Sequence, residues 1–201
     1  MKTRLLLIVL LVSFSSDVQL WGQKPERLKH QSQDAIKYNL TDRVVGRYSI
    51  SYEKAFGSFF SFGSEFDIIC KDVFLESSDP LYSSQNAIKR GVILEPYIRC
   101  YSSNYSGLYI SVNGFFGFAT YKLEQPEELG EPGWSSSGGT IQFGIQKTIL
   151  DPLIIDFYLG ATYANDDYPG LYNESTALFP PPDGLRLSGG LRIGILLKSQ
   201  W

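Results

Sequence analysis

Nine charged residues fall on one side of an alternating pattern: Glu53, Glu65, Asp67, Glu95, Arg99, Asp156, Arg186, Arg192 and Lys198. Successive side chains of a strand point to opposite faces, so residues two apart share a face. Carboxylates set among guanidinium groups and an amine can work as acid and base, or they can neutralise one another in an interior. Acid–base work near neutral pH generally employs histidine. The only histidine, His30, stands ahead of the first alternating stretch. No catalytic residue is assigned on that ground, and the nine residues read as a packed ionic network.

Other chemistries find little to work with. Cys70 and Cys100 with one remote histidine do not make a transition-metal set. The acidic stretch Glu124, Glu127, Glu128 and Glu131 reads as a solvated loop rather than a calcium site. Ser137-Gly138-Gly139 lacks the lysine and the following helix of a phosphate-binding loop. No cofactor is expected. A net charge of −3 gives no reason to expect nucleic acid. The strand reading below sets the two cysteines near opposite ends of neighbouring strands, beyond the ~7 Å between Cα atoms that a disulfide tolerates.

The elements that must position the charges are strands. The last, 185–201, carries Leu187, Leu191, Ile193, Ile195, Leu197 and Trp201 in one register and Arg186, Ser188, Gly190, Arg192, Gly194 and Lys198 in the other. Seven further stretches alternate in the same way, at 35–41, 46–54, 58–70, 90–101, 107–122, 139–149 and 153–164. Their connections alternate between tight turns and long polar loops, expected at 71–89, 123–138 and 165–184. The first connection, 42–45, is short. Ahead of the strands, Lys2 and Arg4 precede an apolar run from Leu5 to Leu11, the pattern of a secretory signal over 1–22. A polar lead-in follows over 23–34. Nothing after it supplies the ~18 apolar residues of a membrane-spanning helix.

Eight strands with short turns at one end and long loops at the other predict an all-β, antiparallel, up-and-down barrel over 35–201. Period two cannot say which face is inside, and a soluble barrel with an apolar cavity shows the same period. Three features favour apolar residues outside, against lipid. The apolar register is nearly free of charge, Lys147 being the main exception. Aromatic residues, among them Tyr48, Tyr52, Phe60, Phe118, Tyr163 and Trp201, gather near strand ends on that register. Gly and Ser crowd the polar register, as a narrow lumen requires. An eight-stranded interior is just filled by side chains. Asp156 is expected near Lys198, and Glu65 and Glu95 near Arg192.

Two segments resemble a known family. Arg47-Tyr-Ser-Ile-Ser-Tyr-Glu-Lys54, leading through a hairpin into Phe59-Phe-Ser-Phe-Gly63, and Leu94-Glu-Pro-Tyr-Ile-Arg-Cys-Tyr101 are similar to motifs of small eight-stranded bacterial outer-membrane barrels of unknown function, with the architecture of OmpA and OmpX. Tyr97 stands where that family usually has an acid, and Cys100 where it has an aromatic. The resemblance implies an outer-membrane barrel and brings no catalytic residues. The expected partners are outer-membrane lipid, the barrel-assembly machinery through a C-terminal signal at Leu197 and Trp201, and an external ligand at the long loops, which offer Tyr, Trp134 and Pro side chains. The expected role is structural or adhesive. A narrow pore, a lipid-modifying enzyme and a secreted carrier of an apolar ligand are the alternatives.

Overall fold

The computed structural model describes residues 33–77, 84–103, 105–124, 133–167, 172–175 and 184–198. The expected signal segment, most of the lead-in and Trp201 lie outside the described residues. The strands are β1 (Gln33–Asn39), β2 (Arg47–Phe56), β3 (Phe60–Ser77), β4 (Gln85–Ser103), β5 (Ser106–Leu123), β6 (Gly133–Leu150), β7 (Leu153–Asp167), β8 (Tyr172–Ser175) and β9 (Gly184–Lys198), with a short helix, α1 (Leu40–Val44), after β1. No described helix is long and apolar enough to cross a membrane, which says nothing of strands.

Eight of the strands close into an antiparallel up-and-down barrel in the order β1-β2-β3-β4-β5-β6-β7-β9. β9 returns to β1 in a ladder from Gln33↔Lys198 to Asn39↔Arg192. Closure pairs the edges that an open sheet would leave exposed. The ninth strand, β8, is not one of these eight; among the described residues it pairs with the far end of β3, from Phe74↔Ser175 to Ser77↔Tyr172, on the edge opposite β4. We call the end of the barrel that holds the start of β1 and the end of β9 the lower end.

The alternation has the polarity expected from the sequence over the lower part of the barrel. Phe62, Phe66, Leu94, Ile98, Val112, Phe116, Ile141, Phe143, Leu159 and Ile193 point outward and are exposed. Glu53, Glu65, Asp67, Arg99, Asp156 and Arg192 point inward and are buried. Over this part the interior is polar and charged. Towards the upper end the polarity inverts. On β3, Ile69, Val73 and Leu75 turn inward while Asp72 and Glu76 face out; on β4 and β5, Ala87 and Tyr121 are buried while Asn86, Arg90 and Lys122 are exposed.

That inversion explains where the expected loops were wrong. The segment expected as a loop at 71–89 is strand through Ser77 and again from Gln85, in one ladder to Leu75↔Gln85. Residues 133–138 belong to β6, 165–167 to β7, and 172–175 form β8. Polar outward residues there hide the period-two signal, yet backbone pairing continues because it needs no apolar face. Trp134, expected to be offered by a loop, is a buried inward residue of β6. The connection expected at 42–45 is mostly helix: Asn39 caps α1 by accepting from the Thr41 amide at 3.2 Å, and Asp42 sits in the first turn.

Candidate functional site

The interior is filled in layers. At the bottom, Ala35, Ala55, Tyr101, Tyr105, Tyr109, Ile154 and Tyr158 form a cluster, with the rings of Tyr105 and Tyr109 lying 5.2 and 5.4 Å from that of Tyr101. Tyr105 reaches this position from the lower β4–β5 turn, where it takes a left-handed backbone with φ of 52°. Small inward residues make room for these rings. A Cβ on Gly144 would lie 2.4 Å from the Tyr109 ring, and one on Gly63 would lie 2.5 Å from the Tyr97 ring.

Above this lies the charged layer. Arg99 Nη1 is 2.7 Å from Asp156 Oδ2 and 3.1 Å from Glu53 Oε2, with all three side chains fully buried. Lys37 Nζ bonds Glu53 and Gln146 and stands 3.3 Å from Asp156. The remaining carboxylate lone pairs are taken by hydroxyls: Tyr101 donates to Glu53 and Tyr109 to Asp156, each at 2.6 Å, and Ser61 also donates to Glu53. Arg99 lies between the rings of Tyr97 and Tyr109, 4.6 and 4.5 Å from their centroids. This hydrogen bonding offsets the burial of the two carboxylates, whereas Nε and Nη2 of Arg99 find no hydrogen-bond partner among the described residues.

A second group stands beside the first. Arg192 Nε is 2.9 Å from Glu65 Oε2, its guanidinium lies 3.9 Å over the Tyr158 ring, and Nη1 is 3.7 Å from Asp156. Asn39 donates to Tyr158 Oη at 2.9 Å and reaches Glu65 at 3.4 Å. Arg47, at the start of β2, joins Asp42 of α1 at 3.2 Å and Asp67 at 3.6 Å. Ser49 donates to Asp42 at 2.6 Å. Asp42, Glu65 and Asp67 can each offer an oxygen within 4.8 Å of the others. Arg47 and Arg192 already lie against these oxygens, so ion pairing accounts for the cluster and no metal site is argued from it.

Of the nine residues singled out in the sequence, the structure brings Glu53, Arg99 and Asp156 into one contact group and Glu65 and Arg192 into another, and sets Asp67 beside Arg47. Glu95 is half-buried and accepts from Asn113 Nδ2 at 2.6 Å rather than from Arg192. Arg186 is higher, paired with Asp166. The expected Asp156–Lys198 neighbourhood is corrected by the register: Asp156 lies opposite Arg192, whereas Lys198 ends β9 opposite Gln33. Leu197 pairs with Asp34 and faces out.

Sequence reasoning missed Lys37, Asp42 and Arg47 as members of the network. Carrying the period-two parity back through β1 would have found Lys37, since it shares the face of Asn39. Nothing in the local pattern signals Asp42, which reaches the interior from a helix. The tyrosine hydroxyls were missed because a tyrosine in a strand reads first as an apolar body.

At the upper end the filling is apolar, with Ile69, Val73, Leu75, Ala87, Ile93, Phe115, Ala119, Tyr121, Trp134 and Ala164 in one cluster. Lys89 enters it with its amine 3.7 Å from the Trp134 ring and 5.2 Å from that of Tyr121.

No family model, curated protein or solved structure matches the chain. The likeness of 47–54 and 94–101 to small outer-membrane barrels therefore rests on those residues alone.

Proposed function

We propose that the protein is an outer-membrane β-barrel of a Gram-negative bacterium, exported by its N-terminal signal. Its role is structural or adhesive, exercised through the upper, extracellular end. The observation that carries this reading is the inversion of polarity along the strands. On β5 the outward residues Leu108, Ile110, Val112, Phe116 and Phe118 are exposed and apolar, and Thr120 and Lys122 then follow on the same face. From Leu108 to Phe118 the chain rises ~33 Å along the strand, or ~25 Å along the axis at a tilt of about 40°, the height of a lipid-facing band. A barrel surrounded by water has no use for an apolar outside over part of its height and an apolar inside over the rest. Lipid below and water above account for both.

The filled interior speaks against the pore reading, because tyrosines, ion pairs and the apolar cluster occupy successive levels of the lumen. The absence of a histidine from the barrel stretches speaks against an acid–base centre, and the surface-interaction reading needs none.

The test is to fractionate cell envelopes and to run the protein on SDS gels with and without boiling. The proposal expects recovery in the outer-membrane fraction and a faster-migrating unboiled band. Recovery as a soluble protein with no shift would overturn it. Planar bilayers seeded with the purified protein should show no steady conductance; stepwise openings would favour the pore instead.

A further inference from the structure

On three neighbouring strands the outward apolar band ends at one level. Going up, the outward row of β3 runs Phe66, Ile68, Cys70, Asp72; that of β4 runs Leu94, Val92, Arg90, Ile88; that of β5 runs Phe116, Phe118, Thr120, Lys122. The ladders set Ile68, Val92 and Phe118 side by side, and Cys70, Arg90 and Thr120 side by side one step higher. Arg90 is therefore the first charge above the band on this wall, with neutral neighbours at its own level. Lys122 is its diagonal neighbour on β5, a relation that sets two residues about 7 Å apart, within reach of each other for long side chains.

Both cations are exposed, and neither makes an ion pair among the described residues. Asp72, the diagonal neighbour of Arg90 on the β3 side, is exposed and joins neither of them. Two unpaired cations side by side repel each other unless an anion lies between them. No other part of the described surface at this height repeats the arrangement. Helix α1 reaches a similar level, since the Gly46 carbonyl accepts from the Cys70 amide at 3.0 Å and Thr41 Oγ1 accepts from the Leu191 amide at 2.7 Å. Its Arg43 stacks at 4.2 Å on the Tyr48 ring and stands alone, because Arg47 is taken by Asp42 and Asp67. Along β6, β7 and β9 the outward residues from this level upward, such as Ser135, Asn165, Asp167 and Leu185, include no cation among the described residues.

Below Arg90 the side-chain sizes shape a groove. Val92 lies between Ile68 and the larger Phe118, and Leu94 lies between Phe66 and Phe116. One step lower, Pro96 has Ser64 beside it on β3, and on β5 Gly114 leaves open space, where a Cβ would meet nothing nearer than 4.0 Å. The floor is aliphatic and the rails are mostly aromatic. It runs ~20 Å along the strand from Arg90 to Pro96.

We infer that this groove seats an anionic, phosphate-bearing lipid of the outer leaflet. Its phosphate lies between Arg90 and Lys122, and an acyl chain runs down over Val92, Leu94 and Pro96. Charge complementarity names the headgroup: the planar fork of arginine matches phosphate oxygens, lysine adds a point charge, and the Thr120 hydroxyl can donate beside them. Asp72 on the other flank repels the phosphate towards the β5 side. The headgroup then stands on the water side of the apolar band and the chain in hydrocarbon. The inference rests on the membrane reading above and adds to it one wall of the barrel with a preferred lipid.

The experiment uses the full-length folded protein in nanodiscs of phosphatidylcholine. Each disc is doped with either phosphatidic acid or phosphatidylcholine carrying a photoreactive diazirine in the acyl chain, and cross-linked peptides are identified by mass spectrometry. With the phosphatidic acid probe, cross-links should gather on the peptides holding Val92–Pro96 and Gly114–Phe118, about tenfold over those at Leu191–Ile195 on the opposite wall. The phosphatidylcholine probe should label both walls alike. Arg90→Gln should remove most of the enrichment, and Arg90→Lys should keep part of it. Even labelling by the anionic probe, equal enrichment with both probes, or enrichment untouched by Arg90→Gln would overturn the inference while leaving the membrane barrel in place. Each variant is checked for the heat-modifiable band before labelling, and Lys122→Gln, with the same expectation, replaces any that fails. In the unaltered protein an excess of unlabelled phosphatidic acid should displace the probe from β4 and β5 but not from β9; no displacement contradicts a seated lipid. A protein that does not enter nanodiscs at all would overturn the membrane reading and this inference together.

Discussion

Glu53 and Asp156 face each other with Arg99 and Lys37 between them, and every one of these four side chains is closed off from solvent. Such groups stabilise only as a set. Removing one partner leaves a buried charge without compensation, at about 3–5 kcal/mol. Arg99→Met should therefore lower stability by about that amount, read as a loss of the folded, unboiled band and an earlier urea midpoint in micelles. Adding Asp156→Asn should recover part of the loss, since the two sites share one network. Arg192→Glu sets a third carboxylate against Glu65 and Asp156 and is expected to prevent folding into micelles; normal folding would contradict the network account. Tight packing makes a second prediction at this scale. Gly144→Ala drives a methyl into the Tyr109 ring and toward the Phe157 carbonyl at 2.7 Å, whereas Gly139→Ala meets nothing nearer than 3.4 Å. The first should cost about 1–3 kcal/mol more than the second in the same unfolding experiment. The charged members on β2, β3, β4, β7 and β9 were legible because inward parity selects them. Of their pairings, Glu65 with Arg192 was legible and is found at 2.9 Å, whereas Asp156 with Lys198 was misplaced and Arg99 with Glu53 and Asp156 was missed, since cross-barrel contacts depend on shear and register, which a single strand does not encode.

Among the elements, α1 matters most for so short a helix. Its cap, Asn39, also bonds Tyr158 and reaches Glu65, so one side chain ties the helix to the charged layer. Asn39→Ala should cost about 1 kcal/mol for the cap and more for the orphaned Tyr158 and Glu65 groups, and should raise hydrogen exchange at the Thr41 and Leu191 amides. An Asn39→Ala variant with unchanged exchange there would show that α1 is held by its neighbours alone. The lower strand segments were legible in the sequence because an apolar outward row against polar inward residues is a strong period-two signal. The upper segments were not. Asp72 and Glu76 of β3, Asn86 and Arg90 of β4 and the serines of β6 on the outward face read as loop, and the inward Val73, Leu75 and Trp134 lacked the company that would mark them as core. The helix lay beyond reach for a different reason: five residues carry no helical period.

At the scale of the whole molecule, the proposed membrane setting has the outward face change solvent partway up the barrel. Charge placement tests it coarsely. Phe116→Arg, within the apolar band, should cost about 2–4 kcal/mol in a bilayer, while Phe74→Arg, above it, should cost no more than about 1 kcal/mol; equal penalties would count against lipid around the lower half. A spin-label scan tests it most directly. With Cys70 and Cys100 replaced by serine, single nitroxides are placed at the outward positions of β5 from Leu108 to Lys122, and the barrel is reconstituted in lipid. Collision with oxygen, which partitions into hydrocarbon, is then compared with collision with a water-soluble nickel complex. The account predicts oxygen-dominated relaxation at Ile110, Val112 and Phe116 and nickel-dominated relaxation at Thr120 and Lys122, with the crossover near Phe118. Nickel accessibility along the whole row would contradict it and place the entire barrel in water.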